Sequence, residues 1–146
     1  MYLDYAGIRV SDLERSVRFY TEGVGLRELR RETMTHGGIW VLLQDPVSHQ
    51  QLELNWYPPG SRYDVPFVTG EGLDHLGLRV EDLDAARQRL VLAGARPVDR
   101  IEREGDPSIV YLEDPDGHWL ELFQPHGEPP PKPTDSTFVR AEGPPR

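Results

Sequence analysis

The segment Leu3-Asp4-Tyr5-Ala6-Gly7-Ile8-Arg9-Val10-Ser11-Asp12-Leu13 is written again seventy positions on, as Leu73-Asp74-His75-Leu76-Gly77-Leu78-Arg79-Val80-Glu81-Asp82-Leu83, and seven of the eleven positions are identical. A second echo follows at nearly the same offset. Asp45-Pro46 leads to Leu52-Glu53-Leu54, and Asp114-Pro115 leads to Leu120-Glu121-Leu122. A unit far longer than solenoid periods, present only twice, is a fused pair of supersecondary units. Any fold for this chain must therefore seat the same unit twice. Tyr5, Glu53, His75 and Glu121 stand at equivalent places in the two copies, which makes them the first candidates for a shared site.

At 146 residues there is enough chain for one real core and little left for a second. Cysteine is absent, which excludes disulfides and thiolate metal sites. The start of the sequence has neither a basic region nor an apolar run, and no stretch approaches the roughly 18 to 20 apolar residues of a membrane span, so a cytoplasmic protein is expected. The net charge of −9, spread along the chain, argues against a nucleic-acid partner.

Each copy opens with a short alternating strand, about residues 3–10 and 73–80, that runs into a helix. Ser11 or Asp12 can cap the first helix, and Glu81 or Asp82 the second. Leu13, Val17 and Tyr20 recur at helical spacing, as do Leu83, Ala86, Leu90 and Val91, so each helix presents one apolar stripe to a sheet. Gly23-Val24-Gly25 and Ala93-Gly94-Ala95 end the helices. Three further strands follow in each copy, at about 26–33, 38–45 and 51–57, and at about 96–104, 108–113 and 118–124. The module is βαβββ, and the fold class is α+β. Gly37-Gly38 suits one hairpin and Asp114-Pro115-Asp116-Gly117 another. The matching turn of the first copy, Asp45-Pro46-Val47-Ser48-His49, is one residue longer and lacks the glycine. The expected organisation is a first module over 1–57, a linker over 58–72, a second module over 73–125 and a proline-rich, disordered tail over 126–146. Tyr63, Phe67 and Val68 are too apolar for a pure spacer, and such a loop beside a cleft could close over it.

A strand has period two, so in Leu52-Glu53-Leu54 the carboxylate points away from the face that both leucines occupy, and Leu120-Glu121-Leu122 repeats the arrangement. With the leucines under the helices, both glutamates face the other side. Twisted sheets of this kind curl, and two of them enclose a trough lined by Glu53, Glu121, His75 and Tyr5. One imidazole and two carboxylates suit a divalent first-row metal ion (nickel, zinc, manganese or iron) and supply the negative charge such an ion needs. A lone glutamate between leucines is usually only a solvated face. Its recurrence at equivalent places, with a histidine at the start of one copy, is what turns the balance toward a metal. Trp56 and Tyr57 follow the Glu53 strand and can line the mouth of the trough as substrate contacts. His36, His49, His118 and His126 sit in or beside turns or the tail and read as surface residues.

The strand-helix openings Ile8–Tyr20 and Leu73–Ala86 and the ending Tyr111–Leu122, YLEDPDGHWLEL, resemble the vicinal oxygen chelate superfamily of glyoxalases, bleomycin resistance proteins and extradiol dioxygenases, most closely its glyoxalase I-like, lactoylglutathione lyase-like branch. The similarity covers about residues 1–125. It implies a glyoxalase-like fold of paired βαβββ modules, each sheet curled into a half-barrel, and a homodimer whose sites are shared between subunits, with two metal ligands from each. The ligand positions implied are Tyr5, Glu53, His75 and Glu121. Tyr5 departs from the histidine or glutamine usual there; a phenol, with a reference pKa of about 10, favours a harder metal or none, or holds a ligand water. Arg9 stands where the family holds the carboxylate of glutathione, although Arg79 fills the same place in the second copy and both arginines could simply belong to the module. Tyr57 replaces the asparagine of the glutathione-dependent enzymes.

The resemblance thus implies a metal-dependent lyase or isomerase acting on a small substrate with two adjacent oxygens, with proton abstraction by Glu121, or Glu53 as its counterpart, through a metal-bound enediolate. Two alternatives stand beside it. A metal-free module of the bleomycin-resistance type would bind and sequester a small molecule. An extradiol-type dioxygenase would want two histidines and one glutamate on iron.

Overall fold

The computed structural model describes residues 5–65, 67–68, 72–103 and 106–124. The elements run β1 (Tyr5–Arg9), α1 (Leu13–Arg18) with a π-helical continuation (Phe19–Val24), β2 (Arg27–Thr33), β3 (Ile39–Gln44), β4 (Gln51–Trp56), β5 (His75–Arg79), α2 (Leu83–Leu92), β6 (Arg96–Arg103), β7 (Asp106–Glu113) and β8 (Trp119–Phe123). They form two four-stranded sheets, ordered β1-β4-β3-β2 and β5-β8-β7-β6. In each, the opening strand pairs in parallel with the last one and the remaining pairs are antiparallel. The two sheets are the same topology written twice, and neither closes on itself, as half-barrels require.

Local chemistry sets the boundaries. Of the two possible caps for each helix, Asp12 and Asp82 take the role, accepting from the backbone N–H of Arg15 and Ala85. Gly25 and Gly94 leave the helical segments at φ 101° and 113°. In the β3–β4 turn, where the first copy lacks the glycine of its counterpart, His49 adopts φ 61°, whereas Gly117 supplies 98° in the second copy. A non-glycine residue in that conformation is uncommon, and Asp45 steadies the turn by accepting from the N–H groups of Val47 and Ser48.

Leu13, Val17 and Tyr20 are buried together, as are Leu83 and Leu90. Val91 departs from the expected stripe: it lies eight positions after Leu83, far enough round the helix to reach the edge of the apolar face, and is 38 % exposed. The first helix also differs from expectation by widening into a π-helix. This segment buries Phe19 and Tyr20 edge to face, with centroids 5.1 Å apart. The modules meet on their helical sides. A Cβ added at Gly23 would lie 2.8 Å from that of Ala93, so only glycine lets the two helix exits touch. A single apolar cluster, including Val41, Leu43 and Leu54 of the first module and Leu112, Leu120 and Leu122 of the second, runs through both. Among the described residues no helix is long and apolar enough to cross a membrane.

A polar staple crosses the same boundary. Asp116, in the β7–β8 turn, accepts from the backbone N–H and hydroxyl of Ser11, from the hydroxyl of Ser16 (2.5 Å) and from Arg15 (2.7 Å). Tyr20 donates to Asp114 at 2.8 Å, and Asp114 also meets Nδ1 of His118 at 2.9 Å. His118 is therefore not the surface residue expected of a turn histidine; it is buried, with the ring of Phe67 from the linker 4.2 Å away. Sequence position beside a turn could not reveal this, because what covers His118 comes from the other module and the linker.

Candidate functional site

Strand parity and register define the face of each sheet that turns away from the shared core. In the first sheet, Tyr5, Gln51, Gln44 and Arg27 form one cross-strand row; Gly7, Glu53, Leu42 and Arg30 form the next; Arg9, Asn55, Trp40 and Glu32 form the third. In the second sheet the rows are His75, Trp119, Glu113 and Arg96; then Gly77, Glu121, Tyr111 and Asp99; then Arg79, Phe123, Ile109 and Ile101. Tyr5 and His75 therefore occupy the same lattice point of the two sheets, as do Glu53 and Glu121. Each glutamate lies beside a glycine, Gly7 or Gly77, and a neighbouring side chain fills the place of the missing one: a Cβ at Gly7 would come within 3.3 Å of Asn55 Nδ2 and 3.8 Å of Glu53 Oε1, and one at Gly77 within 3.5 Å of the Phe123 ring.

The structure brings two of the four expected ligands together. His75 Nε2 lies 2.7 Å from Glu121 Oε2, with the side chains 33 % and 17 % exposed. The other ring nitrogen, Nδ1, lies 2.7 Å from Asp74 Oδ1, so the imidazole is held from both sides with Nε2 turned to Glu121. Tyr111 packs edge-on to His75 and is itself 6.0 Å from Trp119, whose indole donates to Glu113. On the first sheet, Asn55 Nδ2 donates to Glu53 Oε1 at 2.9 Å, while Tyr5 is 45 % exposed. No group of three potential ligands converges among the described residues of a single chain. His75 and Glu121 thus meet on one sheet, while Tyr5 and Glu53 hold the equivalent positions on the other without a contact between them among the described residues.

Of the expected substrate contacts, Arg9 donates to the carbonyl oxygen of Val65 at 2.6 Å and so ties the linker to the rim of the first sheet. Tyr57 stands at that rim in a three-ring cluster with His36 and Tyr63, at centroid distances of 5.8 and 5.4 Å. Trp56 packs against the hydrophobic core, on the opposite face from Glu53. Asp74, Asn55 and Tyr111 were not singled out from sequence. Parity places Asn55 and Tyr111 on the site face, but the Asp74–His75 contact depends on side-chain geometry alone.

Residues 2–122 match the model of the glyoxalase/bleomycin resistance protein/dioxygenase superfamily. A chloroplastic protein of Arabidopsis thaliana named as a probable lactoylglutathione lyase is 33 % identical over 90 % of the chain, which spans only 37 % of that protein's length. A lactoylglutathione lyase of Neisseria meningitidis serogroup A is 30 % identical, covering 85 % of this chain and 91 % of its own. The crystal structure of an antibiotic binding protein from Streptomyces sp. CB03234 is similar with a TM-score of 0.62 and 29 % identity, covering 86 % of this chain and 96 % of that one. With its duplicated βαβββ modules and its paired carboxylate positions, the chain belongs to the glyoxalase/bleomycin resistance protein/dioxygenase superfamily.

Proposed function

We propose that the protein is a glyoxalase-like lyase or isomerase in which a divalent metal ion is held by His75 and Glu121 of one chain together with Glu53, and Tyr5 or a water it holds, from a second copy. The observation that carries this reading is the contact of His75 Nε2 with Glu121 Oε2 at 2.7 Å on the open face of the second sheet, with Glu53 at the equivalent point of the first. The donor set fits such an ion: an imidazole whose Nδ1 is engaged by Asp74 presents Nε2, and the carboxylates supply charge. Two ligands per chain, where a tetrahedral site needs three or four, call for a second subunit to complete the shell.

When bound, the ion supplies Lewis acidity, lowering the pKa of a carbon acid next to the oxygens it holds. The rest belongs to the protein. Glu121 takes the substrate proton and returns it to the adjacent carbon, with Glu53 as its counterpart across the trough. Asn55 fixes the orientation of Glu53 through its amide. Gly7, with no side chain of its own, lets the Asn55 amide settle beside Glu53, and Arg9 and Tyr57 border the site.

Metal analysis of protein purified without chelator is expected to show about one nickel, zinc, manganese or iron ion per chain in a dimer, with uptake on titration restoring a stripped sample. If neither purified nor titrated protein holds metal, this reading fails. The second reading, a metal-free binding module, then takes its place; it is favoured by the likeness to an antibiotic binding protein and by Tyr5 at the first ligand position. Tyr5→His is expected to raise affinity for nickel or zinc by about tenfold, in the range by which neighbours of a metal alter its binding. Unchanged affinity by calorimetry would place the phenol out of the ion's reach.

A further inference from the structure

The helix sides of the two sheets break the symmetry that the open faces keep. Register makes Gln124 the counterpart of Trp56, since each follows the last residue paired with its opening strand, and it likewise matches Ser108 to Ile39 and Arg100 to Arg31. In both modules an edge-strand arginine reaches up to the helix: Arg31 pairs with Glu14, and Arg100 pairs with Asp84 at 2.6 Å. Within this shared frame the first module packs Trp56 and Ile39 against the core. The second module has a glutamine and a serine there, and a cavity of about 260 Å³ opens between them, Leu83 and the start of α2. The corner also differs on its outer side. The start of α1 receives Asp116 from the turn of the other module, whereas the matching residue of the first module's turn is Val47, which is 57 % exposed.

The wall of this cavity selects the chemistry of its occupant. Glu81, in the place of Ser11, adds a third carboxylate to Asp82 and Asp84, so the lining sets three carboxylates against one guanidinium and two negative charges are uncompensated. The positive end of α2 offsets only about half a charge of this. Gln124 donates to the carbonyl oxygen of Glu81 at 2.5 Å, which keeps its side-chain oxygen as an acceptor. The carboxylates do not converge on a point, because no three potential ligands lie close enough to hold a metal ion among the described residues. Acceptors spread along a cavity suit N–H donors carried on an extended organic cation better than they suit a compact ion that needs its ligands in one shell. The volume lies just below the roughly 300–1,000 Å³ of drug-sized clefts, which sets the ligand as a small one.

We infer that the cavity at the start of α2 is a second ligand site, on the opposite face of the sheet from Glu121, and that it takes a small diamine. Its ammonium groups meet the carboxylates of Glu81 and Asp82 and the oxygen of Gln124, and its methylene chain lies along Leu83. The site is independent of the metal reading, since none of its residues faces the trough.

The test titrates the full chain at low ionic strength with 1,4-diaminobutane and with its uncharged counterpart 1,4-butanediol, following the backbone amides of residues 81–84 and the side-chain amide of Gln124 by NMR. The diamine is expected to shift these signals and to bind about tenfold more tightly than the diol, the scale of two half-exposed ion pairs. Glu81→Ser and Gln124→Trp write the first module's residues into the second, and each should weaken the diamine by about fivefold. Glu81 is exposed, so its replacement tests the site even where the tryptophan disturbs packing. Equal affinity for diamine and diol, or diamine affinity unchanged in Glu81→Ser, would overturn the inference. So would binding that is lost in Glu121→Gln and kept in Glu81→Ser, which would place the amine in the trough, and so would magnesium shifting the same amides with equal affinity, which would make the wall a general cation trap.

Discussion

Asp114→Ala is expected to destabilise the fold by about 3–5 kcal/mol, the scale of breaking a buried, multiply bonded polar pair. Asp114 is fully buried and accepts four hydrogen bonds that have no substitute: from the Tyr20 hydroxyl, from the His118 ring, and from the backbone N–H groups of Asp116 and His118. Alanine leaves the phenol of one module and the imidazole of the other without partners and releases the turn that aims Asp116 at Ser11 and Ser16. Since domains of this size are stable by only about 5–15 kcal/mol, much of the total is at stake. A urea midpoint that moves by less than the equivalent of about 1 kcal/mol would show that the staple is incidental. Asp114→Asn, which keeps an oxygen for the two backbone donors, should cost less.

The same cluster makes stability depend on pH at both ends of the scale. Burial by itself raises the Asp114 carboxyl, but the hydrogen bond and charge of His118, with the bonds from Tyr20 and the backbone, outweigh it and hold the group below the usual carboxylate range. Its contribution is therefore fully present above the unfolded value of about 4 and is lost as the pH falls through the folded one. Tyr20 is shifted the other way, well above the ordinary phenol, first by burial and then by the charge of Asp114. Its contribution is present below about 10 and is lost as the pH rises further, since the unfolded chain ionises first. A midpoint that stays flat in acid for the wild-type chain would contradict the assigned role of Asp114.

Glu121→Gln is expected to lower turnover by about 10³-fold or more, the scale of removing a general base. Glutamine keeps an oxygen within reach of His75 Nε2 but takes up no proton at neutral pH. The loss should therefore appear in kcat while the fold, read by circular dichroism, is unchanged. Exchange of a substrate carbon-bound proton with solvent deuterium separates this from a weakened metal site: exchange should vanish in Glu121→Gln even when metal content is restored. Persisting exchange would move the base to Glu53.

Much of this architecture was legible because it was written twice. The period-two placement of Glu53 between Leu52 and Leu54, and of Glu121 between Leu120 and Leu122, fixes which way each carboxylate faces relative to the buried leucines. The caps at Asp12 and Asp82 and the glycine exits follow from local backbone chemistry, which neighbours in the sequence decide. Where the first copy lacks the glycine of the second, His49 takes the left-handed conformation instead, held by the bonds that Asp45 accepts in the same turn. The π-helical widening at Phe19–Val24 was not legible, because it answers to the packing of Phe19 and Tyr20 against the other module.

The sequence by itself determined the module, its repetition, the face each candidate ligand occupies and the absence of thiolate chemistry, all properties of spacing and composition within one strand or helix. Tertiary structure alone decided that His75 touches Glu121, that Arg9 is drawn to the linker, and that His118 is enclosed with Asp114 and Tyr20. The physical reason is range. Backbone periodicity is set by neighbours a few residues apart, whereas burial, pairing and the shifts they impose arise between groups as much as 94 positions apart in the chain, as Tyr20 and Asp114 are.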